Sequence, residues 1–200
     1  MCWNASVSLN TYIFGLFASL FSYYNGFGNI LSVIFYQSFI IMQLLEYFIW
    51  TKTFSNKILS QIALFIVLCQ PIFNIIKIET YPKAISYLLA AYLIFIIILY
   101  TLIIPIDTIN FSTVSSKNGH LSWKWLNWNI YIIFIWYTFL STRWIIDKMY
   151  MIFIVISVLL IITLILYKET NTFGSMWCWV ANVLSIYLIF VVFYKDMCKI

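Results

Sequence analysis

The chain has 200 residues, of which 64% are hydrophobic and 8% are charged, and its formal net charge is +5. Soluble domains carry about 25% charged residues, so this composition excludes a water-soluble globular domain and indicates an all-α integral membrane protein. The basic residues are scattered singly between apolar runs and form no continuous stripe. We therefore expect membrane lipid as a partner and no nucleic acid.

Seven apolar stretches come close to the roughly 20 residues with which an α-helix crosses a bilayer. They predict a bundle of seven transmembrane helices with short loops, over residues 9–24, 30–50, 57–76, 84–105, 127–143, 149–167 and 172–194. Only the connection at residues 106–126 is long, and it predicts no second domain. We expect residues 1–200 to form a single transmembrane helical domain.

The first stretch carries small residues at helical spacing. Gly15, Ser19, Ser22 and Gly26 follow one another at steps of four, three and four. Small residues let neighbouring helices approach closely. The pattern predicts a seam along which the first helix packs against the bundle.

The second stretch ends with a polar face made of Gln43, Glu46 and Trp50. Glu46 is the only acidic residue well inside a predicted span. An ionisable group there is costly unless it has a partner or a role. Two interpretations stay open: an interfacial or hydrogen-bonded glutamate, and a group that binds a proton, a cation or a substrate.

The third stretch contains Gln70-Pro71, followed by Asn74 and Lys77. Proline removes a backbone donor and bends a helix, and Gln70 and Asn74 share a face one turn apart. This pattern fits a packing kink, and it also fits the broken helix of a binding site.

The long connection combines a turn signal, Asn118-Gly119, with the sole histidine, His120. His120 is interpreted either as a turn or interface residue or as a titrating ligand. Three tryptophans follow, and they predict an interfacial re-entry or a short amphipathic helix. They are Trp123, Trp125 and Trp128.

Two features lie in the later stretches. Arg143 and Asp147 are four residues apart and predict an ion pair at the interface. In the last stretch, Gly174, Cys178 and Asn182 recur at every fourth position, and we expect this face to point into the bundle.

Alternating the direction of successive helices places most of these unusual residues on the side of the N-terminus. The hypothesis is a polar cavity that opens on this side, with Gln70 and Asn74 deeper along it. The candidate residues for a substrate or ion are Gln43, Glu46, Gln70, Asn74, His120, Gly174, Ser175, Cys178 and Asn182. We expect no catalytic residue, no metal site and no cofactor.

Orientation and cysteine pairing are weakly determined by the sequence. The basic residues divide almost evenly between the two sides, so the positive-inside rule favours neither orientation. The sequons that begin at Asn4 and Asn110 both lie on the N-terminal side, and they favour an N-terminus outside or in the lumen. A disulfide between Cys2 and Cys178 is one possibility on that side.

Three segments carry a resemblance to a known family: Met-Cys-Trp-Asn at 1–4, Gly-His-Leu-Ser-Trp-Lys-Trp at 119–125 and Gly-Ser-Met-Trp-Cys-Trp at 174–179. With them the chain resembles, over its whole length, a family of uncharacterised seven-span membrane proteins seen mainly in giant DNA viruses. The resemblance implies a multi-pass viral membrane protein. It implies no activity, so no functional residue carries over.

The sequence thus favours a small-solute or ion permease or channel. The alternative is a structural or interaction protein of a viral or host membrane, in which the polar residues only pack helices. An intramembrane enzyme that acts on lipid is less favoured, because one histidine and one intramembrane acid are sparse for such chemistry.

Overall fold

The structure is a computed structural model that describes residues 4–126, 128–176 and 178–197, with side chains except at 176, 178–180 and 195–197. The chain is mostly helical. The helices are α1 Ala5–Tyr24, α2 Ile30–Thr51, α3 Asn56–Ile75, α4 Pro82–Ile98, α5 Ile130–Ile146, α6 Tyr150–Tyr167, α7 Phe173–Met176 and α8 Cys178–Met197. A π-helical turn, Leu99–Ile103, continues α4, and two short strands, β1 Thr113–Ser115 and β2 Leu121–Trp123, lie between α4 and α5.

Five helical segments are long and apolar enough to cross a membrane: α1, α2, α3, Pro82–Ile103 and α6. The shorter segments Ile130–Ile146 and Ala181–Tyr194 are also apolar. These segments correspond in order to the predicted stretches, and a count of seven spans stays a prediction. The outer surface is rich in large apolar side chains such as Phe65, 69% exposed, whereas Glu46 and Gln70 are buried inside. Such a distribution suits a surface covered by lipid.

Asparagine side chains begin three of the helices. Asn4 Oδ1 accepts a hydrogen bond from the backbone N–H of Val7, 2.9 Å away, and Asn29 does the same for Ser32 at 3.0 Å. Asn129 caps α5 in this way. Each cap satisfies a donor that the helix itself leaves without a partner. The start of each of these helices is therefore indicated by an asparagine in the sequence.

The predicted seam of small residues lies between α1 and α2, and it is tightest at Gly15. A Cβ placed on Gly15 would lie 2.2 Å from Cδ1 of Ile40, a fully buried side chain of α2. Ser19 and Ser22 are buried on the same face. Gly26 is different from the prediction, because it lies in the exposed turn after α1 with a φ of +71°. The seam therefore ends at Ser22.

Pro71 lies inside α3, and its missing N–H is compensated by another helix. In a regular helix residue 71 would donate to the carbonyl of Val67. Here the indole Nε1–H of Trp136, on α5, donates to that carbonyl at 3.2 Å. Because of the proline, the Val67 carbonyl is available to accept a hydrogen bond that links α3 to α5.

This arrangement predicts a measurable coupling between Trp136 and Pro71. We expect Trp136→Phe to lower the free energy of unfolding by about 1–3 kcal/mol, since a buried carbonyl loses its donor. In a Pro71→Ala background the restored N–H can serve Val67, so the loss should be smaller. Unfolding of the four proteins in neutral detergent gives the coupling energy. Equal losses in the two backgrounds would contradict this account of the Val67 carbonyl.

The long connection forms a β-hairpin, so the predicted short amphipathic helix is wrong, while an interfacial position of this segment stays a prediction. Strands β1 and β2 pair antiparallel, with Thr113 opposite Trp123, and Gly119 turns the chain with a φ of +79°. The three tryptophans are buried in the protein. The indole groups fill the end of the bundle where α1 begins, which we call the N-terminal end. The other end is called the opposite end.

Candidate functional site

A buried polar cluster lies where the hairpin meets the N-terminal end of the bundle. The indole Nε1–H of Trp123 lies 3.3 Å from Oε1 of Glu46 and 3.1 Å from Oγ of Ser175. The Ser175 hydroxyl donates to the carbonyl of Leu121 at 2.7 Å. All three side chains are almost completely buried. The cluster therefore ties a carboxyl group of α2 to the hairpin and to α7.

The hairpin stays close to α7 because the contact residue there is glycine. A Cβ on Gly174 would lie 2.5 Å from Cδ2 of Leu126. A side chain at this position would force the end of the Leu126 side chain to shift.

A cavity of about 50 Å³ lies beneath Trp123. Its polar walls include Gln43 and Gln70, and Phe39, Trp128 and Gly174 also line it. On this measure a single water needs roughly 10–15 Å³, so the cavity has room for a few waters. It brings together three of the residues predicted from the sequence.

The polar face of α3 leads from this cavity towards the opposite end of the bundle. Gln70 donates from Nε2 to the carbonyl of Ser38 at 3.0 Å, and Asn74 donates from Nδ2 to the carbonyl of Leu140 at 2.6 Å. The Oε1 atom of Gln70 and the Oδ1 atom of Asn74 are buried, and no described residue donates to them. Buried amide oxygens of this kind are rare and suit a water or a polar solute.

A second and larger cavity, of about 270 Å³, lies at the opposite end. Its walls come from α1, α2, α5, α6 and α8 and from the turn after α3. Lys77 and Arg143 supply its charges, and Phe35 and Tyr36 lie on its wall. The sequence hypothesis placed the cavity at the N-terminal end, and this volume lies at the other one.

Two phenylalanine rings of α2 stand between the cavities. Phe39 lines the small cavity and Phe35 lines the large one. Their rings meet edge to face, with centroids 5.2 Å apart and an interplanar angle of 85°. Both side chains are buried. The aromatic pair is therefore an apolar barrier between two partly polar spaces.

His120 lies apart from this arrangement. It is buried in the hairpin, its ring meets that of Tyr167 at 6.0 Å, and its backbone N–H donates to Oδ1 of Asn118 at 3.1 Å. Burial lowers the pKa of His120. The histidine does not line either cavity, so its environment resembles that of a structural turn residue.

The residues predicted on the last apolar stretch are only partly placed in the site. Asn182 is half-buried on α8. The side chain of Cys178 lies outside the described residues, as does Cys2, so the pairing of these cysteines stays a prediction. Ser185, further along α8, is fully buried, and it shares a hydrogen bond with the hydroxyl of Tyr36.

The described part of the chain holds no group of three or more His, Cys, Asp or Glu residues that could bind a metal ion. The arrangement can bind polar groups through buried amides, exchange a proton at Glu46, and bind an anion at Lys77. The sequence reasoning missed Trp123, the Phe35–Phe39 pair and Lys77 as parts of the site. Only Lys77 left a signal, because it comes three residues after Asn74, just beyond the third apolar stretch.

Comparisons with protein-family models, with curated proteins and with solved structures find no match for this chain. The resemblance to a viral membrane family therefore stays a prediction, and function must be inferred from the geometry alone.

Proposed function

We propose that the chain is a multi-pass integral membrane protein that acts as a permease for a small polar solute or ion. The proposal rests on the order in which two cavities and an aromatic pair lie along α2 and α3. A small cavity with Gln43 and Gln70, the Phe35–Phe39 pair, and a large cavity with Lys77 follow one another from end to end.

The polar groups would provide successive binding sites for solute along this route. Asn74 follows Gln70 on the polar face of α3, and Lys77 lies just after this helix. The amide oxygen of Asn74 has no donor among the described residues. Glu46 supplies the one buried carboxyl group among the side chains described. Polar and ionisable residues inside a bundle typically mark substrate or proton pathways.

The route would be closed in this conformation at the N-terminal end and in the middle. Trp123 lies over the small cavity and is held by Glu46 and Ser175. The Phe35–Phe39 pair would block passage in the middle, since an apolar constriction excludes water and ions. Transport would require the rings to separate and the hairpin to move.

The alternative is a structural or interaction protein. One observation favours it: the small cavity is only about 50 Å³ and many of its walls are apolar. In that case the buried amides only bind helices to one another. Flux measurements separate the two functions.

The test uses the full chain in liposomes, with three probes: protons read by an enclosed pH dye, labelled inorganic phosphate, and urea read by light scattering. We expect the parent to carry at least one probe faster than protein-free liposomes. Phe39→Ala should raise the flux about tenfold or more, which corresponds to about 1.4 kcal/mol of barrier. Removing the ring opens the constriction.

Phe65→Ala is the matched control. Phe65 is a phenylalanine of α3 that is 69% exposed on the outer surface, so its removal should leave the flux unchanged. If all three probes cross at the protein-free rate in the parent and in Phe39→Ala, the permease is wrong and the structural alternative stands.

A further inference from the structure

The large cavity at the opposite end contains a buried cation. Lys77 is 8% exposed and follows the end of α3. No carboxylate of the described residues lies within 4.0 Å of its Nζ, and no described acceptor takes a hydrogen bond from it. Nζ of Lys77 lies over the ring of Phe35, 5.2 Å from the ring centroid.

A buried ammonium with so little compensation is unfavourable, because desolvation disfavours its charged form. Accordingly, burial and the neighbouring Arg143 lower the pKa of Lys77 to about 7, although Glu79 partly opposes them. An anion bound in the cavity would supply the missing partner and would restore the charge.

Arg143 is fixed in the wall of the same cavity. Its Nε donates to Oδ2 of Asp147 at 3.2 Å, and its NH2 group lies 3.8 Å from Oε1 of the exposed Glu79. The backbone N–H groups of Glu79 and Thr80 donate to Asp147 in turn. Burial alone would raise the pKa of Asp147, but these hydrogen bonds outweigh it and lower the pKa.

The predicted Arg143–Asp147 pair therefore exists, and it does more than close a loop. Asp147 holds the guanidinium by Nε, which leaves other N–H donors of Arg143 for a ligand. Guanidinium groups recognise phosphate and carboxylate oxygens by paired hydrogen bonds. Lys77 and Arg143 then form two cationic groups around one space.

We propose that the large cavity binds an anionic phosphate group, held by Lys77 and Arg143. The volume of about 270 Å³ is ample for such a group with attached atoms. Apolar side chains, including Leu184 and Leu188, form the remaining wall. The ligand is therefore either inorganic phosphate or the phosphate of an acidic lipid headgroup, and both present the same chemistry to the two cations.

This inference goes beyond the proposed permease, since a phosphate group can bind here whether or not any solute crosses the bundle. The test is a binding measurement without a membrane gradient, so its failure is distinct from a failure of the flux assay. The full chain is titrated with inorganic phosphate in neutral detergent at constant ionic strength. In parallel, it is placed in phosphatidylcholine nanodiscs with and without phosphatidic acid, and bound lipid is measured by mass spectrometry.

We expect saturable binding of phosphate, or selective retention of phosphatidic acid, which would identify the lipid as the source. Lys77→Met should weaken whichever binding is found about tenfold or more. Lys83→Met is the control, because Lys83 is exposed at the same end of the bundle and should not change binding beyond twofold. Lys77→Gln provides a second variant of different packing.

Two results would overturn the proposal. One is the absence of binding by the parent in both the detergent and the nanodisc experiment. The other is unchanged binding in both Lys77 variants, which would place the anion elsewhere on the protein.

Discussion

Glu46→Gln is expected to reduce proton flux through the reconstituted protein about 100-fold or more, equivalent to about 2.7 kcal/mol of barrier. Glu46 is the one buried carboxyl group among the side chains described, and its hydrogen-bond partner Trp123 lines the small cavity together with Gln43. An amide has nearly the same shape but cannot release or bind a proton. The flux is measured with an enclosed pH dye after an acid pulse.

The fold should survive this substitution. The glutamine oxygen can still accept the hydrogen bond from Trp123 Nε1, which lies 3.3 Å from the Glu46 oxygen. Glu46→Asp should keep part of the flux, and Asp107→Asn, at an exposed acid in the long connection, should keep all of it. A Glu46→Gln protein that transports protons at the parental rate would show that Glu46 has only a structural role.

Lys77→Met is expected to stabilise the protein at pH 7 by about 2–4 kcal/mol in phosphate-free buffer. Burial, aided by Arg143 and opposed by Glu79, lowers the pKa of Lys77 from 10.5 to about 7 in the folded state. The unfolded chain keeps the ordinary pKa and therefore binds more protons between these two values. The free energy of unfolding of the parent should then rise with pH through this window. The destabilisation that Lys77 contributes should be largest at and below pH 7.

The measurement is the unfolding of parent and variant in neutral detergent at pH 7 and pH 10. The stabilisation by Lys77→Met should shrink at pH 10, because Lys77 is then neutral in the folded state and the pH is close to the pKa of 10.5 in the unfolded chain. Lys83→Met, at an exposed lysine of the same end, should show no such pH dependence. An equal pH dependence in the parent and in Lys77→Met would contradict the burial of an uncompensated cation.

The helical framework follows from local sequence features. Unbroken apolar runs place each helix within a few residues, and asparagines at positions 4, 29 and 129 set three of the starts. The polar faces of α2 and α3 are also predictable from the sequence, because their polar residues recur at helical spacing. The residues concerned, Gln43, Glu46, Gln70 and Asn74, are all buried in the structure. In a bundle that is apolar outside, a buried polar face needs no long-range information to be recognised.

The parts that were missed depend on contacts between distant segments. Strands β1 and β2 have three residues each, too few to produce a periodic signal. Trp123 looked interfacial because its partners, Glu46 and Ser175, come from other parts of the chain. The large cavity is formed jointly by several helices, so the sequence pattern of any one helix does not predict it. Lys77 lies just after α3, and its burial depends on contacts with other segments of the chain, such as the ring of Phe35.

In the proposed permease, solute passes along the polar faces of α2 and α3, and cysteine accessibility tests this route most directly. In a background without the four native cysteines, Gln43→Cys is placed on the route and Phe65→Cys on the outer surface. Both proteins are reconstituted in liposomes and treated with a charged, membrane-impermeant thiol reagent. We predict that Gln43→Cys is modified while Phe65→Cys stays unreacted in lipid. Equal lack of reaction at both positions would contradict a water-accessible route through the bundle.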